Sequence, residues 1–372
     1  MSITTMPERM PETLTAIEMI SKSERWRRWW LAMPLLLVLC LALVWFSTAI
    51  GVGSVTLTPP QVWRALVAPE NATRHEIVAS NARLARALMA LGVGMALGTA
   101  GALLQALYRN PLADPGITGV TQGAVTAAVA WIVFGPVLTP TQVSWMLPAV
   151  SALGALLSAT LTWSIARLGG RVEPVRLILI GVLVGGVLGA VTSVALLYAG
   201  EDTQALITWL SGSLASVTWQ KLRLFGAGVL ITLPLLLMAI PRANILQFGD
   251  DMASGLGQSV TPARAIVLVA ACLLTAAAVC TVGGIGFVGL VAPHLLRWFV
   301  GSDLRRLVPG AALGGGALVL VADLVARNLR PADIGEWLNI PLNTNAITLP
   351  VGVYLALLGG PFFLFLLRRM RS

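Results

Sequence analysis

Long apolar stretches without a single charged residue dominate this sequence. They lie at 29–63, 87–108, 115–166, 177–200, 224–241, 265–296, 307–322 and 337–367. A helix that spans a membrane needs about 20 apolar residues. The 52-residue stretch therefore has room for two spans, the 32-residue stretch for a long and a short one, and each of the others for one. The pattern predicts ten spans.

These spans are predicted to be helices, because their continuous Leu, Ala, Val and Gly runs lack the alternation of membrane strands and because backbone groups in lipid must be satisfied internally. The predicted fold class is an all-α polytopic membrane protein. A leader at 1–30, expected to be cytoplasmic, precedes a ten-helix membrane domain at 31–372. The spans are predicted at roughly 31–50, 84–107, 120–134, 146–166, 177–199, 222–241, 262–282, 286–300, 307–326 and 349–367.

Composition agrees with a membrane location, since 57% of the residues are hydrophobic and 11% are charged. The net charge of +9 comes from basic residues at the ends of apolar segments, without a dense basic run of the kind that binds nucleic acid. With the N-terminus inside, seventeen Lys and Arg residues fall in inner segments and eight in outer ones. Positive charge favours the cytoplasmic side, so both termini are predicted to be cytoplasmic.

The sequence offers no site for catalysis, a cofactor or a metal. An ATP-binding Walker A loop needs Gly directly before its Lys, but Ser21 and Gln220 precede the two lysines. The three cysteines lie inside apolar segments without metal-ligand spacing. The two histidines are predicted to lie on opposite sides of the membrane. A membrane-embedded enzyme is therefore not expected.

Asp323 is the only ionisable residue of note within the predicted spans, and it lies close to one end of the ninth. Transporters driven by proton or sodium gradients usually place ionisable residues inside the membrane. Their scarcity here indicates that energy comes from another polypeptide. An ion-driven transporter remains the alternative, because carbonyl and hydroxyl oxygens alone can hold sodium.

Two segments of the chain are weakly alike. Residues 85–104 resemble residues 263–282 at an offset of 178, which also aligns Pro115 with Pro293, and residues 148–167 resemble residues 309–327. The copies begin at helices two and seven, and this odd separation predicts an inverted repeat of helices 2–5 and 7–10, as found in transporters. Pro293 is expected to prevent a regular helix between 283 and 297.

Four motifs, in order, carry a family resemblance: RLARALMALGVGMALGTAGALLQALYRNPLADPGITGV, GGIGFVGLVAPHLLR, ALVLVADLVAR and LPVGVYLALLGGPFFLFLL. They closely resemble the FecCD-type permeases of bacterial ABC importers for ferric siderophores, haem and cobalamin, from about residue 31 to 369. The resemblance implies an inner-membrane permease made of two subunits, the second being another copy or a paralogue. It also implies two cytoplasmic ATPase subunits and a periplasmic substrate-binding protein.

The resemblance also implies roles for particular residues. Arg83, Arg86 and Arg327 match family arginines that meet acidic knobs on the binding protein, although they are also suited to anchor helices at lipid headgroups. The loop at 245–257 looks like the family's coupling helices, which contact the ATPase. Its matching residues are Gly249, Asp250, Ala253 and Gly257, with Asp250 a candidate helix cap.

Two further expectations concern the path that the substrate takes through the membrane. The cytoplasmic gate of the family lies at the start of helix five, where this chain has Pro174 and Val175. A gate there would be apolar and close by packing and dewetting, or these residues simply begin a helix. Iron chelates are the favoured substrate class and haem is possible, since no aromatic cluster or charged ring singles out one chelate.

Overall fold

The structure is a computed structural model that describes residues 12–49, 57–136, 140–168, 173–200, 203–329 and 349–371. Within these ranges all regular secondary structure is helical. The α-helices are α1 (Glu12–Ala49), α2 (Pro59–Val67), α3 (Arg74–Leu107), α4 (Val120–Phe134), α5 (Pro140–Arg167), α6 (Pro174–Leu197), α7 (Thr203–Leu210), α8 (Trp219–Leu246), α9 (Asp250–Gly255), α10 (Val260–Val282), α11 (Val288–Val300), α12 (Leu304–Asn328) and α13 (Val351–Arg371).

Each of the ten predicted spans coincides with one of these helices, which confirms the predicted fold class. Seven helices are long and apolar enough to cross a membrane: α1, α3, α5, α6, α8, α10 and α12. Three shorter apolar helices, α4, α11 and the first part of α13, account for the other predicted spans. Residues 12–30, which were assigned to the leader, form the first part of α1.

The second span begins ten residues earlier than predicted, because a capping box starts α3 at Arg74. The Thr73 hydroxyl accepts a hydrogen bond from the Glu76 amide at 3.3 Å, and the Glu76 carboxylate accepts one from the Thr73 amide at 2.8 Å. Such reciprocal bonds satisfy donors that the first helical turn leaves unpaired. At 34 residues, α3 is the longest of the helices that run through the core.

The core lies around α3 and α10. In the most apolar part of each of these two helices, 78% of the residues are buried. Close approach to α3 depends on glycine. A Cβ atom at Gly94 would lie 2.2 Å from the Gly315 carbonyl oxygen, one at Gly98 would lie 2.1 Å from that of Ala311, and one at Gly101 would lie 1.9 Å from that of Gly289. The backbone of α3 therefore touches those of α11 and α12, as small residues permit in membrane helices.

The packing repeats in the manner predicted from the two similar segments. Helix α3 packs against α11 and α12, and α10 packs in the same way against α4 and α5. Pro148 lies inside α5 and Pro309 inside α12, in agreement with the second stretch of likeness. The alignment of Pro115 with Pro293 is wrong, because Pro115 begins a 3-10 turn before α4 whereas Pro293 lies within α11.

The prediction that Pro293 prevents a regular helix is also wrong. Residues 288–300 form α11, in which Pro293 cannot donate a hydrogen bond to the Gly289 carbonyl one turn earlier. The buried side chain of Gln105, on α3, donates to that carbonyl at 3.3 Å and to the Leu290 carbonyl at 3.2 Å. A donor from a neighbouring helix therefore replaces the missing one, as happens around proline in membrane helices.

Candidate functional site

An ion cluster joins three helices near the outer end of the predicted topology. The Asp323 side chain, on α12, has no exposed surface. The Nε and Nη2 atoms of Arg86, on α3, lie 3.0 and 2.8 Å from its Oδ1 atom, and Nη2 of Arg327 lies 3.0 Å from its Oδ2 atom. Two guanidinium groups thus neutralise one buried carboxylate, which would be costly to bury alone.

Two of the three arginines predicted to meet a binding protein, Arg86 and Arg327, belong to this cluster, and Arg327 is the more enclosed. Its side chain is 9% exposed, against 25% for Arg86. Its Nη1 atom donates to the Ser47 carbonyl at 3.1 Å, and its Nη2 atom also donates to the Ser47 hydroxyl. Arg83 lies one turn of α3 away and is partly buried. The cluster therefore ties α1, α3 and α12 together, and the contact with a partner stays a prediction.

A second ion cluster holds the short helix α9 between α8 and α10. Asp250 begins α9, and its Oδ1 atom lies 2.6 Å from Nη2 of the buried Arg264, on α10, and 3.9 Å from Nη2 of Arg109, just after α3. The expected capping role of Asp250 is wrong, because Gly249 is the N-cap residue and no side chain caps the helix. The Asp250 carboxylate instead anchors α9 to α10 and lies near the segment that follows α3.

The two glycines of the predicted coupling segment have a conformational reason. Gly249 has a φ of 106° and Gly257 a φ of 79°, values that other residues adopt at a cost. A Cβ atom at Gly249 would also lie 3.3 Å from Nη1 of Arg109. Glycine therefore sets the direction in which the chain enters and leaves α9.

The surface of α9 is not formed by Ala253, whose side chain is fully buried within the chain. Its predicted contact with an ATPase stays untested. Three large apolar side chains, spaced four residues apart, are exposed instead: Phe248 by 68%, Met252 by 57% and Leu256 by 63%. We call these three residues the α9 apolar stripe. Met252 lies within α9, whereas Phe248 precedes its N-cap residue and Leu256 is its C-cap residue. A large apolar residue at every fourth position of this segment is the sequence signal that would have identified them.

The predicted gate residues lie at the start of α6. Pro174 occupies the first turn and is buried, whereas Val175 is exposed. Large apolar side chains recur from Val175 at every fourth position and wind around α6, and all are exposed: Leu179, Leu183, Val187 and Val191. Val175 therefore begins a series of exposed apolar positions, Pro174 does not, and the gating role of both residues stays a prediction.

The connection between α3 and α4 carries a carboxyl group with an altered pKa. Burial raises the pKa of Asp114 to about 6, although hydrogen bonds from the Gly116 and Leu290 amides oppose this shift. The Gly116 amide lies 2.8 Å from its Oδ1 atom. Among the described residues, no cluster of three or more His, Cys, Asp or Glu residues is arranged to hold a metal ion. The arrangement offers ion pairs and exposed apolar surfaces rather than a reactive group.

Comparisons with known sequences agree with this architecture. The model of the FecCD transport family matches residues 36–369. The Fe(3+)-citrate import system permease protein YfmE of Bacillus subtilis (strain 168) is 32% identical over 338 residues, which cover 90% of this chain and 95% of the relative. The hemin transport system permease protein HmuU of Yersinia pestis is 39% identical over 296 residues, which cover 78% of this chain and 83% of the relative.

A solved structure shares the fold over nearly its whole length. It is described as "An inward-facing conformation of a putative metal-chelate type ABC transporter", and it matches with a TM-score of 0.73 and 28% sequence identity. The match covers 91% of this chain and 99% of that one. Because the family model spans most of the sequence and the relatives align over most of their own lengths, this chain is a member of the FecCD transport family.

Proposed function

We propose that this chain is the permease subunit of an ABC importer that moves a ferric siderophore or a related iron chelate, haem included, into the cytoplasm. Partner ATPases supply the energy, and the chain itself performs no chemistry. The substrate class rests on the relatives, which are named for import of ferric citrate, haem, achromobactin, hydroxamates and cobalamin. Residues 31–372 form the permease domain and 1–30 its leader, with both termini cytoplasmic in the bacterial inner membrane.

The observation that carries this proposal is the α9 apolar stripe. Phe248, Met252 and Leu256 are exposed on and next to a short helix that ion pairs connect to α10 and to the segment just after α3. In the predicted topology this helix lies in the cytoplasm, where exposed apolar side chains on a rigid support mark a protein contact. We assign the stripe to the ATPase contact. Gly249 and Gly257 shape the segment, while Asp250 and Ala253 hold it from within.

The remaining partners are assigned to two other surfaces. The exposed apolar surface of α6 is suited to meet a second permease, another copy or a paralogue, beside a passage that Pro174 and Val175 close at its inner end. The outer arginines Arg83, Arg86 and Arg327 together give this end of the chain the positive charge that attracts an acidic periplasmic binding protein. Lipid covers the rest of the spans.

The proposal is tested by tagging the chain, extracting it gently from its native membrane and identifying the copurifying proteins by mass spectrometry. We expect an ATPase, a permease and, with substrate present, a binding protein. The double variant Met252→Glu, Leu256→Glu should lose the ATPase, because carboxylates would enter an apolar contact. The control Ser254→Glu adds a charge to an exposed position off the stripe and should keep it. Retention of the ATPase by the double variant would contradict the assignment.

The alternative is a secondary transporter driven by an ion gradient. Uptake by intact cells separates the two, with labelled ferric citrate, haem and cobalamin as the probes. An ABC importer should lose uptake when ATP is depleted and keep it when ionophores collapse the ion gradients. The reverse result, together with repeated purification of the chain without an ATPase, would establish the ion-driven transporter.

A further inference from the structure

The hydrogen bonds of the outer ion cluster divide its two arginines into different roles. All three guanidinium nitrogens of Arg327 have acceptors within the chain. Nε donates to the Asp323 carbonyl at 3.4 Å, Nη1 to the Ser47 carbonyl at 3.1 Å, and Nη2 to the Ser47 hydroxyl and the Asp323 carboxylate. With 9% of its side chain exposed, Arg327 has its donors directed inward. It joins α12 to α1.

Arg86 is held on one edge only. Its Nε and Nη2 atoms contact the Asp323 carboxylate, with Nε also 3.3 Å from Oδ2, in the side-on geometry that fixes a guanidinium plane. Its Nη1 atom has no acceptor among the described residues, and a quarter of the side chain is exposed. The Nη1 side of the Arg86 guanidinium group therefore faces outward, in an orientation that Asp323 fixes.

We propose that Asp323 is the positioning residue of the outer docking site: it orients Arg86 toward the acidic binding protein, and Arg327 braces Asp323 instead of meeting the partner. This inference rests on the proposed docking function. A long arginine side chain without such support loses conformational entropy when it binds. A buried carboxylate that fixes the guanidinium in advance removes part of this cost, and Arg327, one turn further along α12, holds that carboxylate from its other oxygen.

The test is a double-mutant cycle on the permease–ATPase complex in lipid nanodiscs, with the copurifying binding protein as the probe. Arg86→Gln should weaken docking about tenfold, the scale of one lost charge-assisted contact. Asp323→Asn should weaken it by a similar factor. Because Asp323 acts through Arg86, the double variant should bind no more weakly than Arg86→Gln alone. Asp323→Glu, which keeps the charge, should restore part of the affinity.

Two controls separate positioning from a general loss of stability. Gln105→Leu removes another buried polar link of α3, at its opposite end, and should lower the thermal midpoint without changing docking. Arg327→Gln should lower the thermal midpoint while docking changes less than about threefold, since its contacts are internal. If Asp323→Asn fails to fold, Arg86→Lys takes its place: it keeps the charge but loses the fork, and should weaken docking in a stably folded complex.

The binding data distinguish a failure of the docking assignment from a failure of the positioning role of Asp323. If wild-type complex binds the protein and Arg86→Gln binds it equally well, the docking assignment falls, and the positioning role falls with it. If Arg86→Gln weakens docking but Asp323→Asn does not, or if the two losses add in the double variant, docking stands and the positioning role is overturned. In the Arg86→Lys fallback, unchanged affinity would overturn it as well.

Discussion

At the residue scale, the buried carboxyl group of Asp114 should make the stability of the chain depend on pH. Burial raises the pKa of its carboxyl group to about 6 from an ordinary value near 3.8. The folded chain therefore holds this proton more tightly than the unfolded chain, so the stabilisation is complete below pH 4 and is lost as the pH rises through 6. Asp114→Asn should raise the free energy of unfolding in detergent by about 1–2 kcal/mol at pH 7.5, seen as a higher thermal midpoint, and by much less at pH 4.5.

The asparagine oxygen can still accept the Gly116 amide, so the variant changes charge and keeps the turn. Asp251→Asn is the matched control, because it removes an exposed carboxylate and should have little effect at either pH. An equal shift of Asp114→Asn at both pH values would show that the burial of charge is not the cause.

Asp250 also illustrates what the sequence does not specify at this scale. Its place in the segment before α10 follows from the family pattern, but its partner Arg264 follows only from how α9 lies against α10. We predict that Asp250→Asn loosens α9, because the 2.6 Å contact to Arg264 loses its charge. Hydrogen exchange at residues 249–258 should become faster. Asp251→Asn should leave the exchange rate unchanged. Equal exchange rates in the two variants would show that the Asp250 carboxylate does not anchor α9.

At the scale of elements, the apolar pattern identified all ten spans but missed where α3 begins. The capping box at Thr73 and Glu76 was present in the sequence, and it outweighs the polar character of the next ten residues. Pro293 shows the opposite case, in which the local sequence predicts a helix break that does not occur. Proline predicts a broken helix, yet Gln105, which is 188 positions earlier in the chain, supplies the donor that lets α11 continue. No local pattern contains that information.

The crossing of α3 with α12 yields an element-scale prediction. Gly98→Ala would place a methyl group 2.1 Å from the Ala311 carbonyl oxygen, so the helices must separate. We expect a loss of about 1–3 kcal/mol, seen as a lower thermal midpoint in detergent. Gly226→Ala, in α8, meets no atom within 4 Å and is the control. It should be neutral or slightly stabilising. Equal stability of the two variants would contradict backbone contact between the helices.

At the scale of the whole molecule, the inverted repeat could be predicted from sequence and its partner surfaces could not. The inverted repeat is predicted from an odd number of spans between two similar segments, and α3 packs against α11 and α12 as α10 packs against α4 and α5. The α9 apolar stripe was missed because its family motif emphasises the small residues that shape the segment. Exposure of Phe248, Met252 and Leu256 depends on Asp250 and Arg264 holding α9 in place, which only the assembled helices determine.

The topology as a whole is tested with introduced cysteines. All three native cysteines are buried, so an impermeant thiol reagent should react mainly with new ones. Glu70→Cys, before α3, should be labelled in intact spheroplasts, because the excess of basic residues in the alternate loops makes those loops cytoplasmic and leaves this connection outside. Ser254→Cys, on α9, should be labelled only after the membrane is permeabilised. The opposite pattern would invert the topology and remove both the ATPase contact at α9 and the outer docking site at Arg86.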